Sequence, residues 1–265
     1  MQDRKLLALY DHDERLATEQ PGARRMVAGR VVRHVDLDGG TGFVIHSDLD
    51  EATVDDAIEE QVAYFEGIGQ DFEWKVFDHD RPADLRARLL ARGFERDHDD
   101  TEALLILPLA DAPARLLRPR THDVHRVTDP ADVVDLLQVQ ARVNDEDQSS
   151  MVARLVRDQA STPHLVSVFG AHVDDRPVSA GWIYYGERSR FAGLWGAATL
   201  PEHRKQGMYT ALVAARAQEA IARGVEFLTI DARPMSRPIV EQLGFRFMTM
   251  THPLLWRVGA SARSR

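Results

Sequence analysis

The sequence has no cysteine, which excludes disulfides, thiolate metal sites and cysteine nucleophiles. Long hydrophobic runs are also missing. The longest, around Ala103–Ala110, contains Pro108 and falls far short of the roughly 20 residues of a membrane span. The first residues, Met1 to Tyr10, hold too short an apolar run for a secretory signal and lead into acids. A cytoplasmic protein with no membrane contact is therefore expected. Two common nucleotide loops are absent as well. No Gly-Lys-Ser/Thr follows a Walker-type spacer, and the nearest approach to a three-glycine fingerprint, Gly39-Gly40-Thr41-Gly42, lies between two strand-like runs. Asp-His-Asp occurs at 11–13, 78–80 and 97–99. None of these runs has the i, i+4 histidine pairing of a helix-borne metal site, so they read as solvated turns at element ends and no metal is expected.

What is present is an ordinary globular composition, 265 residues with 44% hydrophobic and 28% charged, long enough for two domains. The charge is uneven. Residues 1–118 carry 15 Lys and Arg against 26 Asp and Glu, while residues 119–265 carry 18 against 16. A strongly acidic half argues against a nucleic-acid partner and permits a cationic substrate; its bland reading is a solvated acidic surface.

Periodicity predicts a helix over 3–17, then strands Val31–His34 and Thr41–His46 joined by Asp38-Gly39-Gly40, a hairpin signal. Helix 52–66, strand Phe72–Phe77, helix Pro82–Ala91, the stop Gly93-Phe94 and strand Ala103–Leu107 follow. Pro108 to Pro113 reads as a linker running to about Thr121. Beyond it come strand Val124–Val127, a helix from Asp129-Pro130 to Val143, a polar stretch Asn144–Ser150 and helix Met151–Gln159. Strands Leu165–His172 and Val178–Tyr185 flank a hairpin turn at Asp174-Asp175-Arg176-Pro177. Strand 190–199, a helix to about Gly224, strand Phe227–Asp231, helix Arg237–Gln242 and a last strand near Leu254–Val258 complete the chain.

The most informative stretch runs from Gly193 to Leu212. A strand of small and apolar residues passes through Pro201 into the basic turn Arg204-Lys205-Gln206-Gly207 and then into an alanine-rich helix. The first N–H groups of a helix have no internal partner and the macrodipole adds positive charge there, so such a turn holds phosphate well. Gly207 removes a Cβ where a diphosphate must approach, and Arg204 and Lys205 add full charge. Four or five charge-assisted hydrogen bonds of roughly 1.5–3 kcal/mol each suffice to hold a nucleotide diphosphate.

The pattern Arg-x-x-Gly-x-(small), here Arg204 to Tyr209 after Thr199-Leu200-Pro201-Glu202, with Leu243-Gly244-Phe245 one strand and one helix later, resembles the GNAT acyltransferase superfamily over about residues 120–258. The resemblance implies a mixed α/β fold whose mostly antiparallel central sheet is flanked by helices. It also implies acetyl-CoA as cosubstrate, held by Ala197, Ala198 and Thr199 of the strand and by Arg204, Lys205, Gln206, Gly207, Met208, Tyr209 and Thr210 of the turn and helix start. Tyr209 departs from the usual small residue: its ring either turns aside or limits how closely the diphosphate can sit.

Strand Phe72–Phe77, a Pro-started helix and Gly93-Phe94 parallel strand Phe227–Ile230, the Pro238 helix and Gly244-Phe245. Two tandem acyl-CoA N-acyltransferase-like domains are therefore expected, a degenerate copy over 1–117 and the competent one over 118–265. Asp48, Asp50, Glu51, Asp55 and Asp56 surround the first copy's helix start and would repel a diphosphate. The first copy should not bind CoA.

Two positions that carry a Glu base and a Tyr acid in many relatives are Gly193 and Val240 here. Positioning alone can supply several kcal/mol of the rate, and Asp231 and Ser236 are the candidate catalytic groups. Asp231 ends a strand and either caps a turn or serves the site; Ser236 suits a helix N-cap as well as a leaving-group contact. His79 is a further candidate. Trp195 and Tyr185 read as core. The expected function is N-acetyl transfer to a primary amine of a small molecule or peptide. The alternatives are a CoA-binding regulatory module without catalysis and a structural or partner-binding tandem domain.

Overall fold

The structure, a computed structural model, describes residues 2–96, 101–118, 122–144 and 149–259. The chain forms two compact units, one of residues 1–105, 231–238 and 247–265, the other of residues 106–230 and 239–246. The run Asp97-His98-Asp99, the end of the expected linker and most of the polar stretch after Asn144 lie outside the described residues.

In the first unit, helix α1 (Gln2–Tyr10) continues as a wider π-helical turn, Asp11–Leu16. Strands β1 (Ala23–Ala28), β2 (Val31–Asp36) and β3 (Gly42–Ser47) form an antiparallel meander. Asp36 fixes its second turn, its Oδ1 accepting from the N–H groups of Asp38 and Gly40. Helix α2 (Val54–Ile68) crosses to β4 (Phe72–Phe77), parallel to β3, and helix α3 (Leu85–Arg92) follows. The short strand β5 (Glu95–Arg96) and β6 (Glu102–Pro108) come next, β6 running into the second unit. The core is aromatic: Phe65 stacks on Phe72 with centroids 4.2 Å apart, and Phe94 meets Phe72 edge-on. Gly42 is required here, because a Cβ would stand 2.4 Å from the Phe65 ring.

After the end of β6 the second unit continues with a short helix, α4 (Ala114–Leu117), inside the stretch expected to be linker. Strand β7 (Asp123–Val127), helices α5 (Pro130–Asn144) and α6 (Ser149–Ser161), and strands β8 (Val166–Val173), β9 (Arg176–Tyr185) and β10 (Phe191–Thr199) follow. Helix α7 (Met208–Ala222) leads to β11 (Phe227–Ala232) and α8 (Arg237–Gln242), and β12 (Arg246–Trp256) ends the described fold. Neighbouring strands run β7-β8-β9-β10-β11, antiparallel except for the parallel pair β10 and β11. Asp174 and Asp175 both take positive φ, 49° and 60°, which makes the tight β8–β9 hairpin. Ala211, Ala214, Ala215, Ala217 and Ala220 are buried on α7, and their small side chains let the helix lie close to the strands.

Each unit thus contains a parallel strand pair with a helical crossover, then a helix closed by Gly-Phe. Gly93 and Gly244 are both left-handed, φ 110° and 98°. The Phe94 N–H reaches Leu89 O and the Phe245 N–H reaches Val240 O, the same helix stop twice. This is the mixed, mostly antiparallel α/β class expected.

Three expectations are corrected. Strand β1 was missed, since Ala-Arg-Arg-Met-Val-Ala shows no alternation in burial. The last strand starts at Arg246, not Leu254, and pairs antiparallel with β4 from Thr251 opposite Phe77 to Trp256 opposite Phe72. Residues 247–256 therefore complete the first unit, and the 117/118 cut falls inside the second.

Candidate functional site

The site is built on β10. Its parallel pairing with β11 runs from Phe191 opposite Phe227 to Gly193 opposite Thr229, and among the described residues goes no further. On its other edge β10 pairs with β9, with the register broken between Trp195 and Ala198. Gly196 makes that bulge, with φ 59° and Trp182 packed so closely that a Cβ would lie 1.9 Å from its ring. The bulge turns backbone carbonyls out of the ladder, and buried side chains collect them. Arg216 Nη1 donates to Trp182 O at 3.1 Å and Trp195 O at 3.3 Å, and Gln140 Nε2 donates to Gly196 O. Ser179 Oγ donates to Ala198 O at 2.8 Å and shares a 2.7 Å hydrogen bond with Thr199 Oγ1.

After β10 the chain makes one 3₁₀ turn, Pro201–His203, and reaches the basic loop. Arg204 Nε donates to Thr199 O at 3.1 Å, folding the guanidinium back over the strand end. Lys205 and Gly207 both adopt left-handed backbone, φ 60° and 88°. Gly207 is the N-cap of α7, and the first helical hydrogen bond runs from Ala211 N–H to Gly207 O. The N–H groups of Met208, Tyr209 and Thr210 precede that bond and have no partner within the helix. Arg204, Lys205, Gln206 and Gly207 are exposed, so the loop and helix start open to solvent as an anion cradle. Tyr209 turns aside: it is half-buried, burial raises its pKa, and its phenol lies close enough to Arg216 to feel that charge. The residues present fit a diphosphate.

His122 had no sequence signal. Its Nε2 shares a 2.8 Å hydrogen bond with Gln206 O, and its Cε1 would lie 3.0 Å from a Cβ on Gly207. Arg216 and Gln140 were missed for a different reason, because a buried Arg on an alanine-rich helix cannot be told from an exposed one until the helix is docked. Trp195 is not core, being 48% exposed; its indole Nε1 stands 2.6 Å from where a Gly193 Cβ would be. The indole thus occupies the space a side chain at 193 would need. Tyr185 is buried as expected, with Arg223 over its ring at 4.1 Å. Val240 is buried apolar core.

The candidate catalytic groups fall in the first unit. Asp231 Oδ2 accepts from Lys75 Nζ at 2.6 Å, while its Oδ1 is buried without a hydrogen-bond partner. Burial pulls the Lys75 pKa down, but Asp231, Glu102 and Glu73 together carry it above its ordinary value. Asp231 is therefore one half of a half-buried ion pair rather than a turn cap. Ser236 is half-buried and its Oγ donates to Arg233 O at 3.1 Å, so it bonds backwards into its turn rather than capping α8. The Asp-His-Asp runs are not solvated turns where described. His79 Nε2 meets Asp11 at 2.9 Å, and Arg15 binds Asp11 at 2.8 Å and Asp80 at 2.6 Å. Three of the acids at the first copy's helix start pair with cations, Glu51 and Asp55 with Arg88 and Asp50 with Arg30.

The parallel strand pair that stops short, the bulge in one of the two, and the basic loop feeding a glycine-capped helix all lie within residues 131–245. Residues 131–245 match the model of the acetyltransferase (GNAT) family and form a GNAT domain. Across most of its length the chain has the fold of several solved GNAT proteins. A GCN5-related N-acetyltransferase from Kribbella flavida superposes with TM-score 0.67 at 15% identity, covering 95% of this chain and 93% of that one. A tandem GNAT protein from the clavulanic acid biosynthesis pathway gives TM-score 0.58 at 13% identity over 92% and 86%. A GNAT-family protein from Novosphingobium aromaticivorans gives 0.58 at 17% over 88% and 91%. No curated protein matches the chain. Among the described residues no helix is long and apolar enough to cross a membrane. Membership of 131–245 in this family supports acyl transfer as the chemistry.

Proposed function

We propose that the chain transfers an acetyl group from acetyl-CoA to a primary amine of a small molecule or peptide. The observation that carries this reading is the cradle at the start of α7, where Lys205 and Gly207 are left-handed and the N–H groups of Met208, Tyr209 and Thr210 lack helical partners. These groups, with Arg204, Lys205 and Gln206, would hold the diphosphate, and Ala197, Ala198 and Thr199 would offer backbone groups to the pantetheine arm. Bound acetyl-CoA supplies an activated acyl group on a thioester. The chain's own part is to hold and orient the reactants and to manage protons, for which Asp231 and Ser236 are the candidates. The acidic residues 1–118 favour a cationic acceptor over a nucleic acid, and the cytoplasm supplies the thioester.

A second reading, a CoA-binding module without catalysis, is favoured by one observation: the positions of the usual Glu and Tyr hold Gly193 and Val240, with Trp195 over the first. Calorimetry with acetyl-CoA and thiol release across a panel of amines separate the two. Binding with amine-dependent thiol release is expected. Binding without turnover on any amine would move the conclusion to the second reading, and no binding would overturn both.

A further inference from the structure

One cluster of chemistry-bearing side chains in the second unit is not used by the α7 cradle, although its Asp123 directly follows His122. The antiparallel register of β7 and β8 sets Asp123 opposite His172 and His125 opposite Gly170. Asp123 and His125 are two residues apart and share a face of the strand, so the two histidines are diagonal neighbours. Gly170 makes room for them: His172 Cε1 would lie 2.7 Å from a Cβ there. The two imidazoles lie parallel, 5° apart in plane with centroids at 4.4 Å, and His125 Nδ1 is 3.3 Å from Asp123 Oδ1. His172 Nδ1 is buried and has no hydrogen-bond partner. Each of the three residues offers a ligand atom within 4.8 Å of the other two.

We propose that Asp123, His125 and His172 form a binding site for a divalent transition-metal ion of the zinc class. Two imidazoles and one carboxylate are ligands such ions favour, and three protein ligands leave the remaining positions to water. Tetrahedral bonds of roughly 2.0–2.1 Å need donors roughly 3.4 Å apart, so the present spacing must close by about an ångström. Asp123 and His125 can do so by side-chain rotation, being 64% and 55% exposed. The ion would tie β7, at the end of the strand order, to β8.

The test is calorimetry of untagged full-length protein with Zn²⁺ as the probe, together with thermal unfolding with and without the ion. One equivalent should bind and the melting temperature should rise with Zn²⁺ concentration. His125→Gln, at an exposed position that the fold tolerates, and His172→Ala should each lower Zn²⁺ affinity at least about tenfold and abolish the melting shift. Absence of binding up to about 1 mM Zn²⁺ would overturn the proposal. So would unchanged affinity in His125→Gln, which would place the ion on other histidines. If His172→Ala fails to fold, the His125→Gln arm decides alone.

Discussion

Arg216 Nη1 donates to the carbonyl oxygen of Trp195 at 3.3 Å, from a side chain with no exposed surface. The same nitrogen serves Trp182 O and the Nε serves Leu212 O at 3.1 Å, while Nη2 has no partner. Among the described residues no acid meets this cation. Burial pulls its pKa down to about 10, against the pull of Tyr209 and Tyr185. A planar guanidinium satisfies divergent carbonyls that a bulge has turned inward. Since Arg216 lies on α7, one side chain links the helix that starts at the anion cradle to the bulged strand.

Arg216→Met should therefore strand two strand carbonyls. Each unsatisfied buried group costs about 1–3 kcal/mol, partly offset by relief of an unpaired buried charge. Urea unfolding should show lower stability, and calorimetry weaker acetyl-CoA binding. Arg216→Lys should not restore either, because an ammonium lacks the fork. Full rescue by Lys would show that charge alone matters.

Gly207→Asp should abolish acetyl-CoA binding while the fold persists. A carboxylate would enter the cradle beside the N–H groups of the helix start, and its Cβ would press on His122 at 3.0 Å. Calorimetry beside far-UV circular dichroism checks this; undiminished affinity would dismiss the cradle as the diphosphate site.

One acetyl-CoA should bind per chain. The helix start of the first copy is acidic, and three of its acids already pair with Arg88 and Arg30. A titration that saturates at two equivalents would show that the first copy also binds.

Asp231→Asn should slow acyl transfer by about 10²–10⁴ if the carboxylate handles the proton. It should also lower stability, because Lys75 loses its 2.6 Å partner and Glu102 stands farther off, at 3.9 Å. Lys75→Met separates the effects: it removes the ion pair but leaves the carboxylate. Equal turnover losses in the two folded variants would reduce Asp231 to a structural partner of Lys75.

Acid should destabilise the first unit partly through His34. This imidazole is fully buried, with Nε2 3.1 Å from Thr18 O, and burial lowers its pKa from the ordinary 6.5. The neutral form is favoured by folding. Its contribution is therefore complete above pH 6.5 and is lost as pH falls through the lower folded value. Urea unfolding across pH 4–7 should show a smaller slope for His34→Gln, by up to about 1.4 kcal/mol per pH unit. An unchanged slope would assign the acid sensitivity elsewhere.

By itself the sequence determined most of the local elements and the glycine turn that starts α7. Arg204, Gly207 and the alanine run of α7 act through backbone freedom, helix-end N–H groups and small side chains, all of which depend on residues near in the chain. The helix stops at Gly93-Phe94 and Gly244-Phe245 were legible for the same reason, and so was the mixed α/β class. Tertiary structure decided whatever depends on partners far along the chain. It gave β12 to β4, more than 170 residues away, which no local pattern could reveal. It paired Asp231 with Lys75, folded Trp195 over Gly193, brought His122 to Gly207, and set Arg216 beneath the bulge. In each case the decisive quantity is burial or strand register, and these exist only once distant segments have packed.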